Sequence, residues 1–221
     1  MMSTGNDIVA LKAINIARTK EYNFYKKIIS PFEKELYDMQ LSGKMSFENF
    51  VWLLWSVKES AYKYLQRITP ALIFSPTKII VNQLEMPIYE EVPKFVDQIE
   101  GCGFDNEKVY KGVVAFDDQT IYSRSIIGEG FIFSVVNQVD NFEGTFWGIQ
   151  MISSSEPSCQ SEKVRAFLSA RLSVLFPSNN LQICKNQGCP ILFNDSDEFP
   201  VPISLAHHEQ YVAYSLCLNA K

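Results

Sequence analysis

Phe50, Leu54, Val57, Ala61 and Leu65 recur at steps of three and four residues, in an apolar run that stops before Thr69-Pro70. That spacing stacks them on one stripe of an α-helix that lays its face into a core. Ser46, with Asn49 three residues on, reads as the N-cap. Pro70 ends the helix, because it has no N–H and disfavours helical geometry in Thr69. On this helix Glu59, Lys63 and Arg67 follow one another at four-residue steps, so they form one ridge, each about 6 Å along the axis from the next. Taken alone, Glu four residues before Lys is the ordinary surface pair, worth about 0.2–0.5 kcal/mol.

The 221 residues, 47% hydrophobic and 20% charged, predict a soluble globular chain with one large core or two small ones. A net charge of −5 argues against a general nucleic-acid-binding surface but leaves room for a local basic pocket that holds a phosphate ligand. The five cysteines form no C-x-x-C pair, and their odd number without a secretory pattern predicts reduced thiols in the cytoplasm. No apolar run approaches 18 residues, so no membrane span is expected, and Met1 to Asn6 lack the pattern of a signal peptide.

Gly5-Asn6-Asp7-Ile8-Val9-Ala10-Leu11 is a strand candidate in which Asp7, Val9 and Leu11 share a face. A carboxylate in line with two apolar residues is costly to bury, and a metal ion is one of the few partners that offsets the cost. The plainer reading leaves Asp7 in water at a strand end or capping a turn. Residues 19–41 are expected to be helical and split in two at Ser30-Pro31-Phe32-Glu33, a capping box with proline at the first helical position. Lys20, Lys26, Lys27 and Lys34 read as solvated, with Lys26-Lys27 a secondary candidate for an anionic ligand. Further on, 74–81 reads as a loop into a strand, and 85–107 as a loop with one short helix at 92–99. A meander follows at 109–116, 120–127 and 131–136, then a strand at 145–152 and a polar link at 153–158. An amphipathic helix is expected at 161–176, with Val164, Phe167, Leu168, Leu172 and Leu175 inward and Lys163, Arg165 and Arg171 at other positions. Short strands at 181–185 and 190–193 flank Gly188, and 202–213, which holds both histidines, leads into a final strand ending near Leu218.

Three stretches together resemble the 4′-phosphopantetheinyl transferases. They are Gly5-Asn6-Asp7-Ile8-Val9, the W-x-x-K-E-S-x-x-K pattern from Trp55 to Lys63, and Ser204-Leu205-Ala206-His207 before a tyrosine-bearing strand. The resemblance implies that Asp7 and Glu59 hold Mg²⁺. It further implies that His207 contacts the 3′-phosphate of coenzyme A, with Ser204, Lys58 and Arg67 as further coenzyme A ligands. Lys63 would meet the departing phosphate, and Glu59 or a metal-bound water would take the proton of the attacking serine. The implied reaction moves phosphopantetheine from coenzyme A to a serine of an acyl or peptidyl carrier protein and releases 3′,5′-ADP.

The order of motifs is that of the small holo-acyl-carrier-protein synthases, but the length is that of the two-half enzymes. The implied architecture is therefore α+β: a 4′-phosphopantetheinyl transferase-like fold with two similar halves in pseudo-twofold arrangement, 1–140 carrying the metal ligands and 145–221 the S-x-x-H motif. The active site would lie between them, in a monomer. Four departures are visible: Ala206 replaces a common serine, Cys189 replaces the lysine of a G-K-P motif, Ala10 stands where relatives often have an acid, and 67–74 contains no glycine. The alternative function is a non-catalytic homologue that binds coenzyme A or a carrier protein. A third reading is an unrelated protein with three accidental matches.

Overall fold

The computed structural model describes residues 3–89 and 97–218. Its organising element is a 22-residue helix, Phe47–Ile68, whose N-cap Ser46 accepts a hydrogen bond from the Asn49 N–H at 3.2 Å. Phe50, Leu54, Val57, Ala61 and Leu65 of the stripe are buried as expected, joined by Val51, Leu53 and Tyr64.

Strand β1 (Thr4–Ala10) comes first, followed by a 3₁₀ turn and two single-turn helices, α1 (Ile16–Thr19) and α2 (Tyr22–Tyr25). Helix α3 (Pro31–Leu36) follows and runs into a π turn at Tyr37–Leu41. The expected capping box opens α3: Ser30 Oγ accepts from the Glu33 N–H, and Glu33 Oε2 accepts from the Ser30 N–H at 2.7 Å. Residues 19–41 thus break into shorter pieces than two helices, because each turn is held by packing on the long helix, α4, rather than by its own length.

After α4 come β2 (Ile80–Glu85), β3 (Gln98–Cys102), β4 (Tyr110–Phe116), β5 (Gln119–Ile127), β6 (Phe131–Asn137) and β7 (Thr145–Met151). Helix α5 (Pro157–Leu175) then leads to β8 (Leu181–Asn186), β9 (Cys189–Asn194), β10 (Asp197–Phe199), β11 (Ile203–His208) and β12 (Tyr211–Cys217). The expected meander is present. Helix α5 begins at Pro157, a turn earlier than expected, since proline suits the first helical position.

The strands form three antiparallel sheets, ordered β1-β6-β5-β4-β2, β11-β12-β7-β3 and β10-β9-β8. The first strand of each long segment pairs with its last, β1 with β6 and β7 with β12. Two elements depart from the sequence reading. Residues 203–208 form a strand of their own that folds back on β12, rather than a lead-in to it. Part of the expected loop at 85–107 is β3, which pairs with β7, so a strand from before residue 140 extends the second sheet. Of the helix expected at 92–99, residues 92–96 lie outside the described residues, while Gln98 and Ile99 are in that strand.

One core packs α4 against the five-stranded sheet, a second packs α5 against β11 and β12, and a third lies between the two larger sheets around Ile8, Phe133, Val135, Ile149 and Ala213. None of the helices among the described residues is long and apolar enough to cross a membrane.

Candidate active site

Strand β1 rides directly on α4, and Gly5 makes the contact possible. A Cβ there would lie 2.1 Å from the Ser60 carbonyl oxygen. Ser56 Oγ donates to the Asp7 carbonyl, and Ser60 Oγ sits between the carbonyls of Ser56 and Ser134. Strand and helix are therefore stitched together at the level of Asp7.

The outer edge of β1 meets β11 without a backbone ladder. Instead the Asn6 N–H donates to Ser204 Oγ at 3.0 Å, and the Ala10 N–H donates to His208 Nδ1 at 3.1 Å. Two side chains four residues apart on β11 thus satisfy two donors four residues apart on β1, which closes an edge that would otherwise need another strand or water. This seam sets Asp7 on β1 near His207 on β11, and each feels the charge of its neighbours across the gap.

Asp7 is 7% exposed. Its Oδ1 receives the Lys63 ammonium at 3.2 Å, and its Oδ2 is buried with no hydrogen-bond partner among the described residues. Burial pushes the Asp7 carboxyl above the usual carboxylate range, opposed by Lys63 and His208. Lys63 also donates to the Asn6 carbonyl at 2.9 Å, which fixes the ammonium beside the strand. Glu59, one turn before Lys63, is partly exposed and makes no hydrogen bond among the described residues. Its carboxyl is likewise raised, by burial first and by Asp7 second, with Lys63 opposing. Two carboxylates held above their usual range by burial, one with an orphaned buried oxygen, are of the hard oxygen type that a divalent cation satisfies. Among the described residues no three His, Cys, Asp or Glu side chains cluster as a metal site.

The ridge Glu59, Lys63 and Arg67 lines a cleft of about 270 Å³, together with Tyr62 and Gln66 of α4. Its other walls are Ser161, Val164 and Arg165 of α5, Lys185, Gly188, Cys189 and Pro190 of the β8–β9 hairpin, and Ser204, Leu205 and His207 of β11. Arg67 donates through Nη2 to the carbonyls of Pro190 and Ile203, which ties α4 to both β9 and β11. His207 is exposed on the cleft, and its imidazole is pushed below the ordinary histidine range by partial burial and by Lys63.

The structure thus brings Asp7, Glu59, Lys63, Arg67, Ser204 and His207 to one place. Lys58 does not join them. It is wholly buried, donating to Glu33 Oε2 at 2.7 Å and to the Ile28 carbonyl at 2.8 Å, so it cannot serve as a coenzyme A ligand. One residue along a helix is a rotation of about 100°, and that turns Lys58 away from the ridge. A signal for this was available: Lys58 lies four residues after Leu54 and three before Ala61, within the apolar stripe itself. The sequence reading missed Arg165 and Lys185 as cleft residues, since each is brought to the ridge only by long-range packing.

No curated protein and no solved structure matches the chain. Asp7, Glu59, Lys63 and Arg67 all lie within residues 3–86, and those residues match the family model of the 4′-phosphopantetheinyl transferase superfamily, with which the α+β architecture of antiparallel sheets agrees.

Proposed function

We propose that this protein transfers 4′-phosphopantetheine from coenzyme A to a serine of an acyl or peptidyl carrier protein and releases 3′,5′-ADP. The observation that carries the reading is Asp7, a buried carboxylate with one oxygen on Lys63 and the other without a partner among the described residues, held by Lys63 at a cleft that Glu59, Arg67, Arg165, Lys185 and His207 help to line. The family match supports the transferase class.

Asp7 and Glu59 would hold Mg²⁺, which in this chemistry supplies charge neutralisation at the diphosphate. The chain's own residues account for the rest. Substitution at the phosphorus forms a bond from the serine oxygen and breaks the bond to the 3′,5′-ADP oxygen. Lys63 is held by two acceptors and retains a third N–H for the departing phosphate oxygen. Arg67, fixed by two carbonyls, offers a guanidinium whose position costs no reorganisation. Glu59 takes the serine proton, and its raised proton affinity brings it nearer the working pH as a base. His207, held neutral by its surroundings, donates a hydrogen bond to a phosphate oxygen.

In this reading the site lies between 1–140 and 145–221 of a single chain. The repeated pairing of first strand with last supports a pseudo-twofold relation of those halves, and a site completed within one chain would need no second copy, in keeping with the monomer that the two-half length implies. The decisive experiment is mass spectrometry of several apo carrier proteins after incubation with this protein, coenzyme A and Mg²⁺, beside Glu59→Gln. The expected result is a phosphopantetheine mass gain that the variant loses by about 10²–10³ in rate. Coenzyme A binding with no gain on any carrier would make the chain a non-catalytic homologue.

A further inference from the structure

The two long helices sit differently on their sheets. Helix α4 rides on β1, whereas α5 packs chiefly on β8, β11 and β12, with Val164, Leu168 and Leu172 in the core formed there. The faces of β7 and β3 beside α5 are left uncovered, and between helix and strands lies a groove of about 430 Å³. Its helix wall is an apolar stripe at four-residue steps, Ala166, Ala170 and Val174, of which Val174 is 71% exposed. Its strand wall holds Glu100 and, two residues before it, Gln98, whose amide oxygen accepts from Gln150 at 3.2 Å.

Two opposite charges line this groove without pairing. Glu100 accepts a hydrogen bond from the Tyr214 hydroxyl, which burial and that carboxylate keep protonated, far above the ordinary phenol range, with Arg171 opposing. Tyr214 is fully buried and braced by the Phe167 ring at 4.9 Å, so the acid is pinned from below. Arg171 lies over the Phe146 ring at 5.1 Å. Its Nε is buried with no hydrogen-bond partner, and it makes no ion pair among the described residues. In the β3–β7 register Glu100 faces Gly148, two residues from Phe146, so acid and guanidinium are anchored about 7 Å apart along the strands. Opposite charges this near each other pair when their side chains are free to move; here Tyr214 and Phe146 hold them apart.

We propose that this groove is a second ligand site, which takes a free α-amino acid with an apolar side chain. The ligand carboxylate lies on Arg171 and supplies the acceptor that Nε lacks, the ammonium lies on the Glu100 oxygen that Tyr214 leaves free, and the side chain runs along the Ala166, Ala170 and Val174 stripe. An ammonium and a carboxylate on one carbon, each with a charge-assisted hydrogen bond of about 2.8 Å, cover the span between the two charges. A simple anion would leave Glu100 unmatched, and a simple cation would leave Arg171 unmatched. Lys163 also lines the groove, but eight residues before Arg171 it is about 12 Å away along the helix and serves neither charge. No residue of the groove lines the catalytic cleft, so the site is independent of the coenzyme A reading; the two share only α5 as a wall.

The test uses the full chain and three probes of one shape, L-phenylalanine, 3-phenylpropionate and 2-phenylethylamine, titrated calorimetrically at pH 7.5. The wild type is expected to bind phenylalanine about tenfold more tightly than the analogue that lacks either charge. Arg171→Gln should remove the preference over phenylethylamine, and Glu100→Gln, which keeps an acceptor for Tyr214, the preference over phenylpropionate. Lys163→Ala should change neither. Glu100 is exposed, so its variant leaves the fold intact and carries the test if Arg171→Gln disturbs α5. A wild type that binds phenylpropionate as tightly as phenylalanine, or binds none of the three, would overturn the site, as would preferences that survive Glu100→Gln.

Discussion

Helix α4 carries two lysine–carboxylate pairs that look alike in sequence and differ in kind. Lys58 and Glu33 meet at 2.7 Å with both side chains 0% exposed, whereas Lys63 and Asp7 meet at 3.2 Å with 25% and 10% exposure. Every acceptor of the first pair is used: Glu33 Oε1 takes the Val81 N–H, and Oε2 takes the Ser30 N–H and the Lys58 ammonium. In the second pair Asp7 keeps an oxygen with no partner. A saturated buried ion pair binds α3, α4 and β2 into one piece and has nothing left to offer a ligand. An unsaturated one at a cleft retains capacity for chemistry, at a cost in desolvation that shows in the raised proton affinity of Asp7.

The sharpest test of the contrast is to break the saturated pair. Lys58→Met leaves Glu33 charged and buried, and is expected to lower unfolding free energy by about 3–5 kcal/mol in a urea titration; a loss under about 1 kcal/mol would show that the pair is not structural. Removing both charges with Glu33→Met and Lys58→Met is expected to restore only part of that loss, because the N–H groups of Ser30 and Val81 would lose their acceptor. A full recovery would place the whole effect in the charges.

The unsaturated pair predicts a pH signature. An acid whose pKa is raised on folding favours the fold most while protonated, and that contribution is lost as pH climbs from the unfolded carboxylate value through the raised one. Mg²⁺, competing with the proton for Asp7 and Glu59, should therefore raise the melting temperature more at pH 7.5 than at pH 5, and not at all in Asp7→Asn. Equal shifts at both pH values would exclude these carboxylates as the ligands. The smallest stability effect belongs to Lys63→Met, about 1–3 kcal/mol, because it strands the Asp7 carboxylate at a site that is still partly accessible. Its transfer rate should nonetheless collapse, the reverse of the pattern for a lysine that serves only the fold.

What could be read in the chain was what local spacing encodes. Helix α4, its serine cap, the α3 capping box and the meander follow from periodicity and turn residues, and the Glu59, Lys63 and Arg67 ridge follows from a helix having 3.6 residues per turn. Asp7 stood out because a carboxylate occupied an apolar face. Lys58 was misread because a shared motif outweighed its place in the stripe. Strand β3 depends on pairing with β7 more than forty residues later, and β11 gains its place partly by lending side chains to β1, neither of which has a local signature. Arg165 is tied to β8 by a hydrogen bond to the Ile183 carbonyl, a contact invisible in sequence spacing.

The closure of first strand on last also fixes a timetable. Asp7 belongs to a strand whose ladder partner is β6 and whose outer edge is sealed by Ser204 and His208. As the ribosome releases the chain, β1 must wait for residues 131–137 before it can pair and for 203–208 before its edge is covered. Contacts of such long sequence separation form late and slowly. Until then the strand that bears Asp7 has an open flank, so the cleft is complete only once residues 203–208 have emerged. A nascent chain holding the whole of the matched 3–86 stretch would still lack the α5, hairpin and β11 walls of that cleft.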